Sequence, residues 1–476
     1  MQDLVGLLKQ KAFEGDIDAS QRTRQFYSHD ASLFELVPEL VVYPKNTADL
    51  QRLVVSAHLL RAKIPNLSLT ARGAGTCMSG GAINDSVIID FTRYFNKVKE
   101  VTDHNARVEP GVYYRDFEKA TLAIGALLPT FPASRELATI GGMVANDAGG
   151  EKSLQYGKTE DYVDKLSVVL ADGQAYDLRP LNSGELAAKK LQHTFEGQIY
   201  TQLHSLLEVN YDKIKAAKPR VSKNSTGYNL WDVWDRETGV FDLTKLFVGS
   251  QGTLGLVDDV EVRLIKDKPH SGVLVCFMKN LENLGELINT VVAAKPASFE
   301  AFDNHTLALS IKFFPYFRKT IGWGGLLKLG FQLIPDALLL LRGIPKMVLL
   351  IEFTGDTPEE VAQKVHAMKI ALKPYKLEAT QEDSTEAKAW KFRIMRRESF
   401  NLLRKKVKDK HAAPFIDDLV VPPQHLAEFL PKLGAIIKKY KLLATIAGHM
   451  GDGNFHVIPL MKIEDSKERA KLQPAM

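Results

Sequence analysis

The sequence predicts an α+β fold in more than one domain, and three observations carry that prediction. Short β-branched or apolar runs alternate with glycines through the first half without a strict strand–helix rhythm, which favours α+β over a doubly wound sheet. The glycines gather in three places, at 71–82, 138–150 and 249–255. Near residue 268 the rhythm changes to two strand–helix units separated by an insertion, the pattern of a ferredoxin-like second domain.

In chain order, residues 1–36 read as a helical extension. Residues 40–43 (LVVY) read as a strand stopped by Pro44, and 48–61 as a helix with Leu50, Leu53, Val54 and Leu60 toward one side. Residues 67–70, 86–91 and 106–108 read as short strands, 113–124 as a helix ended by Gly125, and 166–170 as a strand closing on the turn Ala171-Asp172-Gly173. Residues 246–265 read as two strands broken by a glycine bend. Beyond 268, strands are expected at 272–278, 298–302 and 346–353 and a helix at 281–294. Thr357-Pro358-Glu359-Glu360 opens a further helix, with Thr as cap and Pro at the first position.

Composition narrows the function classes. An apolar fraction of 45% and a charged fraction of 25% exclude a disordered, collagen-like or coiled-coil chain. A formal charge of +5 is too small to argue for nucleic acid. Two cysteines, Cys77 and Cys276, exclude a disulfide framework, a cysteine-rich zinc module and a protein-held iron–sulfur cluster, and fit a reducing compartment. The first residues, MQDLVGLLKQKAFEGDID, lack the apolar stretch of a signal peptide, and no run is long enough to span a bilayer, so a cytoplasmic protein is expected. The insertion 311–347 carries Lys312, Arg318, Lys319, Lys328, Arg342 and Lys346 against Asp336. It reads either as a helical lid or as a basic amphipathic patch lying on the inner face of a membrane.

The loop 71–82 (ARGAGTCMSGGA) follows a predicted strand, and glycines let backbone N–H groups close on an anion. It suits a pyrophosphate, yet it is neither a Rossmann fingerprint nor a Walker loop. Three such loops predict a long ligand with a phosphate-bearing middle and an aromatic end.

The segments LVVYPKN at 40–46, 72–81, 139–150, Tyr156-Gly157, KNSTGYNL at 223–230, 249–255 and GHMGDGNFH at 448–456 run in collinear order. Together they resemble the vanillyl-alcohol-oxidase/PCMH flavoprotein superfamily, in the branch of D-lactate dehydrogenases, D-2-hydroxyglutarate dehydrogenases and the glycolate oxidase flavoprotein subunit. The resemblance implies a two-lobed PCMH-type FAD-binding domain at 37–267 and a ferredoxin-like substrate cap at 268–476. It implies FAD contacts from Arg72, Gly73, Ala74, Gly75, Thr76, Met78, Ser79 and Gly80 in the first loop. Pro132, Thr139, Gly142, Asn146, Gly149, Tyr156 and Gly157 would serve around the second, and Gln251, Gly252 and Leu254 in the third. Thr76 and Cys77 stand where covalent relatives carry a His, so FAD is expected to be non-covalent. Gln251 replaces a usual acid, and Asp147 replaces a common Asn, for which the sequence offers no account.

The same resemblance bears on His449 and His456. Alone, the pair reads as hydrogen-bonded histidines at a turn; with the resemblance, it reads as two ligands of a divalent metal of the zinc class. Relatives add a Glu-His pair from an EHG-like motif further on, which does not occur before Met476. The chain is therefore expected to be truncated, completed by another polypeptide, or inactive alone. Arg393, after Trp390, is expected to pair with a substrate carboxylate; Lys410 is a further candidate, and most of 404–411 a solvated basic face. The function implied is oxidation of a D-2-hydroxy acid (lactate, glycolate or 2-hydroxyglutarate class), with electrons passing to a quinone or to an electron-transfer or iron–sulfur partner. The alternatives are an FAD-binding subunit or fragment without activity of its own, and a membrane-surface protein resting on 311–347 alone.

Overall fold

Runs buried at every position need cover on both faces, and two of them set the first lobe. Leu40–Tyr43 (β2) and Val87–Asp90 (β4) are buried throughout and pair in parallel. Asp16–Asp18 (β1) adds antiparallel to β2, and Leu69–Arg72 (β3) parallel to β4, in the order β1-β2-β4-β3. One side is covered by Gln2–Gln10 (α1) and Thr47–Leu60 (α2), whose Leu4, Leu8, Leu50 and Leu53 share a core with Leu40, Val42, Val87 and Ile89. The N-terminal extension is thus more than helical: Asp16–Asp18 extends the sheet, and Leu4 and Leu8 belong to its core.

The computed structural model describes residues 1–304, 345–375 and 410–476, with 324, 377 and 379–383 besides. The chain divides into two units, one of 1–150, 157–219 and 225–267, the other of 151–156, 220–224 and 268–476. Most of the insertion 311–347, as well as Trp390, Arg393 and 404–409, lies outside the described residues. Among the described residues no helix is long and apolar enough to cross a membrane.

The second lobe of the first unit is an antiparallel sheet of Val98–Val101 (β5), Asn105–Val108 (β6), Val163–Val169 (β7), Ala175–Leu178 (β8) and Leu256–Arg263 (β9), ordered β5-β6-β9-β7-β8. Its core joins Val108, Leu166, Val168 and Val260 to Tyr114 and Phe117 of Tyr114–Leu122 (α3) and to Ile140 and Val144 of Ile140–Ala145 (α4). Tyr200 and Leu207 of the long helix Phe195–Ala216 (α5) close it. Of the two strands expected over 246–265, the first is instead a helical turn, Thr244–Phe247. The Asp242 carboxylate accepts from the Thr244 N–H (2.9 Å) and hydroxyl (2.7 Å), and this local turn outweighs the β-like composition.

The second unit begins with His270–Met278 (β10), Leu284–Ala293 (α6), Ser298–Asp303 (β11), Met347–Gly355 (β12), Pro358–Ala371 (α7) and Ala379–Asp383 (β13). Spatially the strands run β13-β10-β12-β11, all antiparallel, which is the ferredoxin-like 4-1-3-2 order. The Thr357 hydroxyl caps α7 by accepting the Glu360 N–H at 3.2 Å. His411–Ala412 (β14), Asp417–Val420 (β15), Leu426–Lys439 (α8), Leu443–His449 (β16) and Asn454–Met461 (β17) extend the sheet beyond β11, with β16 on β11 and β17 on β16. Residues of α6, α7 and α8 pack with Leu274, Phe299, Ala301, Leu349 and Phe455 in one core. Strand alternation sends the residues between them, Glu300 among these, to the opposite face.

The two lobes of the first unit are tied by a polar contact: the Thr47 hydroxyl donates to Asp258 Oδ2 at 2.5 Å. Asp258 lies at an irregularity of β9, and burial pushes its carboxyl up to about 6. A carboxyl that holds its proton more tightly folded than unfolded favours the fold most below about pH 4, and that contribution is lost as pH rises through about 6. Asp258→Asn, which keeps an acceptor for Thr47, should remove this slope and raise stability at pH 7 by about 2 kcal/mol. Urea unfolding of both proteins from pH 4 to 7 measures the difference.

Candidate functional site

The three glycine loops, spread over some 180 residues of chain, meet in the first unit. The third loop joins the second through backbone: the Gly249 N–H donates to Val144 O and the Gln251 N–H to Ala145 O, each at 2.9 Å. The first loop presses on the second at Gly73, where a Cβ would fall 2.2 Å from Thr139 Oγ1. It also reaches the third, since a Cβ at Gly81 would lie 3.3 Å from Gln251 Oε1. Thr139 has a second task there, capping α4 by accepting the Gly142 N–H at 3.2 Å. Gly150 is packed as tightly, with no room for a Cβ beside the Phe131 carbonyl. Of the expected FAD contacts, Gly73, Ala74, Gly75, Thr76, Met78, Gly80, Pro132, Gly149, Gly252 and Leu254 are half-buried. Ser79, Gly142, Asn146 and Gln251 are exposed. Tyr156 and Gly157 stand where the chain passes from one unit to the other.

The Arg72 side chain is taken up within the protein. Its buried guanidinium donates to the carbonyls of His29 (2.7 Å), Ala82 (3.0 Å) and Tyr27 (3.4 Å) and lies over the Tyr27 ring. Burial lowers its pKa from the usual arginine range. The side chain therefore binds the two ends of the first loop to the N-terminal segment, leaving backbone and small side chains to face a ligand. The Cys77 thiol accepts the Gly81 N–H at 3.3 Å and tightens the same loop.

In the second unit, register assembles a polar row on the sheet face opposite the helices. Glu300 on β11 pairs directly with His449 on β16, and His456 on β17 with Asp418 on β15. His449 and His456 are diagonal neighbours, because His456 pairs with Ala447, two residues before His449. Their rings lie 5.6 Å apart and nearly perpendicular, at 86°. His449 Nδ1 is 2.6 Å from Glu300 Oε1, within reach of an Nδ1–H donated to the carboxylate. His456 Nδ1 lies 3.7 Å from Asp418 Oδ1. Half-buried Lys223 stands 3.4 Å from Asp452, whose carbonyl accepts the Ser222 hydroxyl at 2.8 Å. Burial lowers the Lys223 pKa against the pull of Asp452, and burial raises that of Asp452. The connecting turn is tight, with Gly453 at φ 64° against the Val421 carbonyl.

The row meets one requirement of a metal site and falls short of another. Each imidazole has a carboxylate on its Nδ1 side, the usual way a ligating histidine is oriented. Among the described residues, however, no group of three His, Cys, Asp or Glu could hold an ion. Sequence reading missed Glu300; its signal was a lone central acid in the otherwise apolar run SFEAF.

Known proteins agree with this layout. Residues 38–179 match the family described as FAD binding domain, and 268–476 the C-terminal domain of FAD linked oxidases. D-2-hydroxyglutarate dehydrogenase of Pseudomonas putida is 29% identical over 99% of this chain and 46% of its own length. The chain thus spans about half the length of the dehydrogenases of that name. Glycolate oxidase subunit GlcD of Bacillus subtilis is 27% identical over 97% of this chain and 81% of its own. The structure of p-cresol methylhydroxylase with substrate bound superposes with a TM-score of 0.65 at 13% identity, covering 100% of this chain and 84% of that one, which establishes a shared fold.

Replacing Arg72 with Met should leave the carbonyls of Tyr27, His29 and Ala82 without their buried donor, at a cost of about 2–4 kcal/mol. Urea unfolding reads the loss, and hydrogen exchange should show it concentrated at 27–31 and 72–82. Arg72→Lys, lacking the planar fork, should recover only part of it.

Proposed function

Because the chain belongs to the FAD-linked oxidase family, we propose that it oxidises a D-2-hydroxy acid of the lactate, glycolate or 2-hydroxyglutarate class to the 2-oxo acid. The observation that carries this reading is the row Glu300–His449–His456–Asp418 on one sheet face of a region matching the C-terminal domain of FAD linked oxidases. FAD, when bound by the loops around Gly73, Thr139 and Gly249, supplies the two-electron acceptor for the hydrogen on C2. Thr76 and Cys77 in the first loop support non-covalent attachment.

The roles of the chain's own groups follow from their atoms. Arg393 would pair with the substrate carboxylate through two parallel N–H bonds. Glu300, 2.6 Å from His449 Nδ1, would orient a neutral imidazole with its proton on Nδ1 and its lone pair on Nε2. That nitrogen and the one on His456 can accept the substrate hydroxyl proton or serve as two donors to a divalent cation of the zinc class. The electron acceptor is proposed to be a quinone or an electron-transfer or iron–sulfur partner, since two cysteines cannot hold a cluster. The basic segment 311–347 would suit a membrane surface for a quinone acceptor. A second reading keeps the FAD site and has the chain turn over only when a further segment or partner completes the substrate site.

Purified protein should be yellow, release its flavin on acid precipitation, and bleach anaerobically on addition of D-lactate or D-2-hydroxyglutarate. Bound flavin without bleaching supports the second reading; protein that takes up no FAD overturns both. His449→Ala and His456→Ala should each lower the metal content measured by elemental analysis. Glu300→Gln should weaken metal retention about 10–100-fold.

A further inference from the structure

Asp147 occupies the second glycine loop in a left-handed conformation, φ 46°, which Asp and Asn tolerate better than other side chains. Its side chain is 1% exposed, and a carboxylate so buried is costly unless paired. Lys158, itself 9% exposed, forms an ion pair with Asp147 Oδ2 and stands 3.0 Å from Glu160 Oε1. The Glu160 N–H donates to Asp147 Oδ1 at 3.0 Å. Between them, the N–H and hydroxyl of Thr159 both reach the Ala148 carbonyl, at 3.0 and 2.7 Å. The segment 158–160 therefore grips 147–148 residue by residue. Glu160 is held in turn by the Asn229 amide, and its carbonyl by Lys245. Across the loop, Ser225 donates to the Asp147 carbonyl at 3.3 Å, and a Cβ at Gly249 of the third loop would meet the Asp147 Cβ at 3.3 Å. Asp147 is thus a point where the second and third loops touch.

We propose that Asp147, Lys158 and Glu160 form a buried charge clamp that holds the second and third glycine loops in their FAD-binding shape, with Lys158 as the positioning residue on which it depends. The clamp rests on the reading of these loops as the FAD site. It accounts for an acid in the loop: its charge faces Lys158 within the protein, while the neighbouring Asn146 and Gly149 remain accessible. Burial and the Glu160 charge push the Asp147 carboxyl up to about 6 against the pull of Lys158, as expected where two acids share one cation. No step of the oxidation requires the clamp; it acts by preorganising the loops before FAD arrives.

Titration of apo-protein with FAD, followed by flavin fluorescence quenching, tests the clamp in wild type, Lys158→Met, Lys158→Arg, Asp147→Asn and the double variant Asp147→Asn/Lys158→Met. Wild type that takes up no FAD would overturn the reading of the loops, and the clamp with it; the variants test the clamp alone. Lys158→Met strands buried Asp147 and half-buried Glu160, and its FAD Kd should rise at least about tenfold. Asp147→Asn and Lys158→Arg should stay within about threefold of wild type, since each leaves the remaining charges paired. The double variant should regain most of the affinity that Lys158→Met loses. A general structural lesion would not give this rescue, because the double variant removes more of the native contacts. The clamp is overturned if Lys158→Met binds FAD like wild type, or if the double variant binds no more tightly than Lys158→Met. Should Lys158→Met fail to fold, Lys158→Arg decides: near-wild-type affinity upholds the role of the charge, and a tenfold loss refutes it.

Discussion

The first unit depends on close approach of backbone to backbone at the three glycine loops. Gly73 has no space for a Cβ beside Thr139 Oγ1, and Gly150 none beside the Phe131 carbonyl. Such contacts bring main-chain N–H groups together without side chains between them, the condition for holding a pyrophosphate by its oxygens. The surrounding structure maintains this approach from several sides. Arg72 fastens the first loop to the N-terminal segment, Thr139 starts α4 in register with Gly73, and the Gly249 and Gln251 amides hang the third loop on the carbonyls of 144 and 145. The two-lobed core matters to function chiefly because it aligns these loops.

The second unit solves a different problem with a different tool. Its site is built by strand register, not by glycines. Pairing of β11 with β16, of β16 with β17 and of β17 with β15 places two carboxylates and two imidazoles on one face. A slip of one residue in any of these pairings would send its members into the helix-covered core. The core residues Phe299, Ala301 and Phe455 fix that register, so packing on one face specifies chemistry on the other.

Much of this was legible in the sequence, for identifiable reasons. Strand and helix positions followed hydrophobic period, and the cap of α7 followed Thr357-Pro358. The three loops were visible because clustered glycines mark backbone that must turn sharply or lie against something without a side chain between. Partners distant in sequence were not legible. Glu300 lies 149 residues from His449 and Lys158 sits 11 from Asp147; nothing in composition marks either pair. Arg72 was placed in the FAD loop by resemblance alone; that its side chain serves three carbonyls 10 to 45 residues away was not legible. The turn Thr244–Phe247 was read as strand because a local hydroxyl–carboxylate turn leaves no period to detect.

The electrostatics of the histidine row bear on what it can bind. Among the described residues Glu300 and Asp418 bring two carboxylates to this part of the sheet, while Asp452 and Lys223 stand against each other, burial disfavouring the charge of both. With neutral imidazoles this group is negative, and a hydroxy acid arriving with its own carboxylate would be repelled at the few ångströms where hydroxyl and Nε2 must meet. On the proposed function, a positive charge must therefore lie between the row and the substrate. A divalent cation on His449 and His456 would supply it at the hydroxyl, and Arg393 would supply it at the carboxylate. The two parts of the proposal are thus linked by charge: the acids that orient the imidazoles for a cation are the same acids that make an anionic substrate dependent on one.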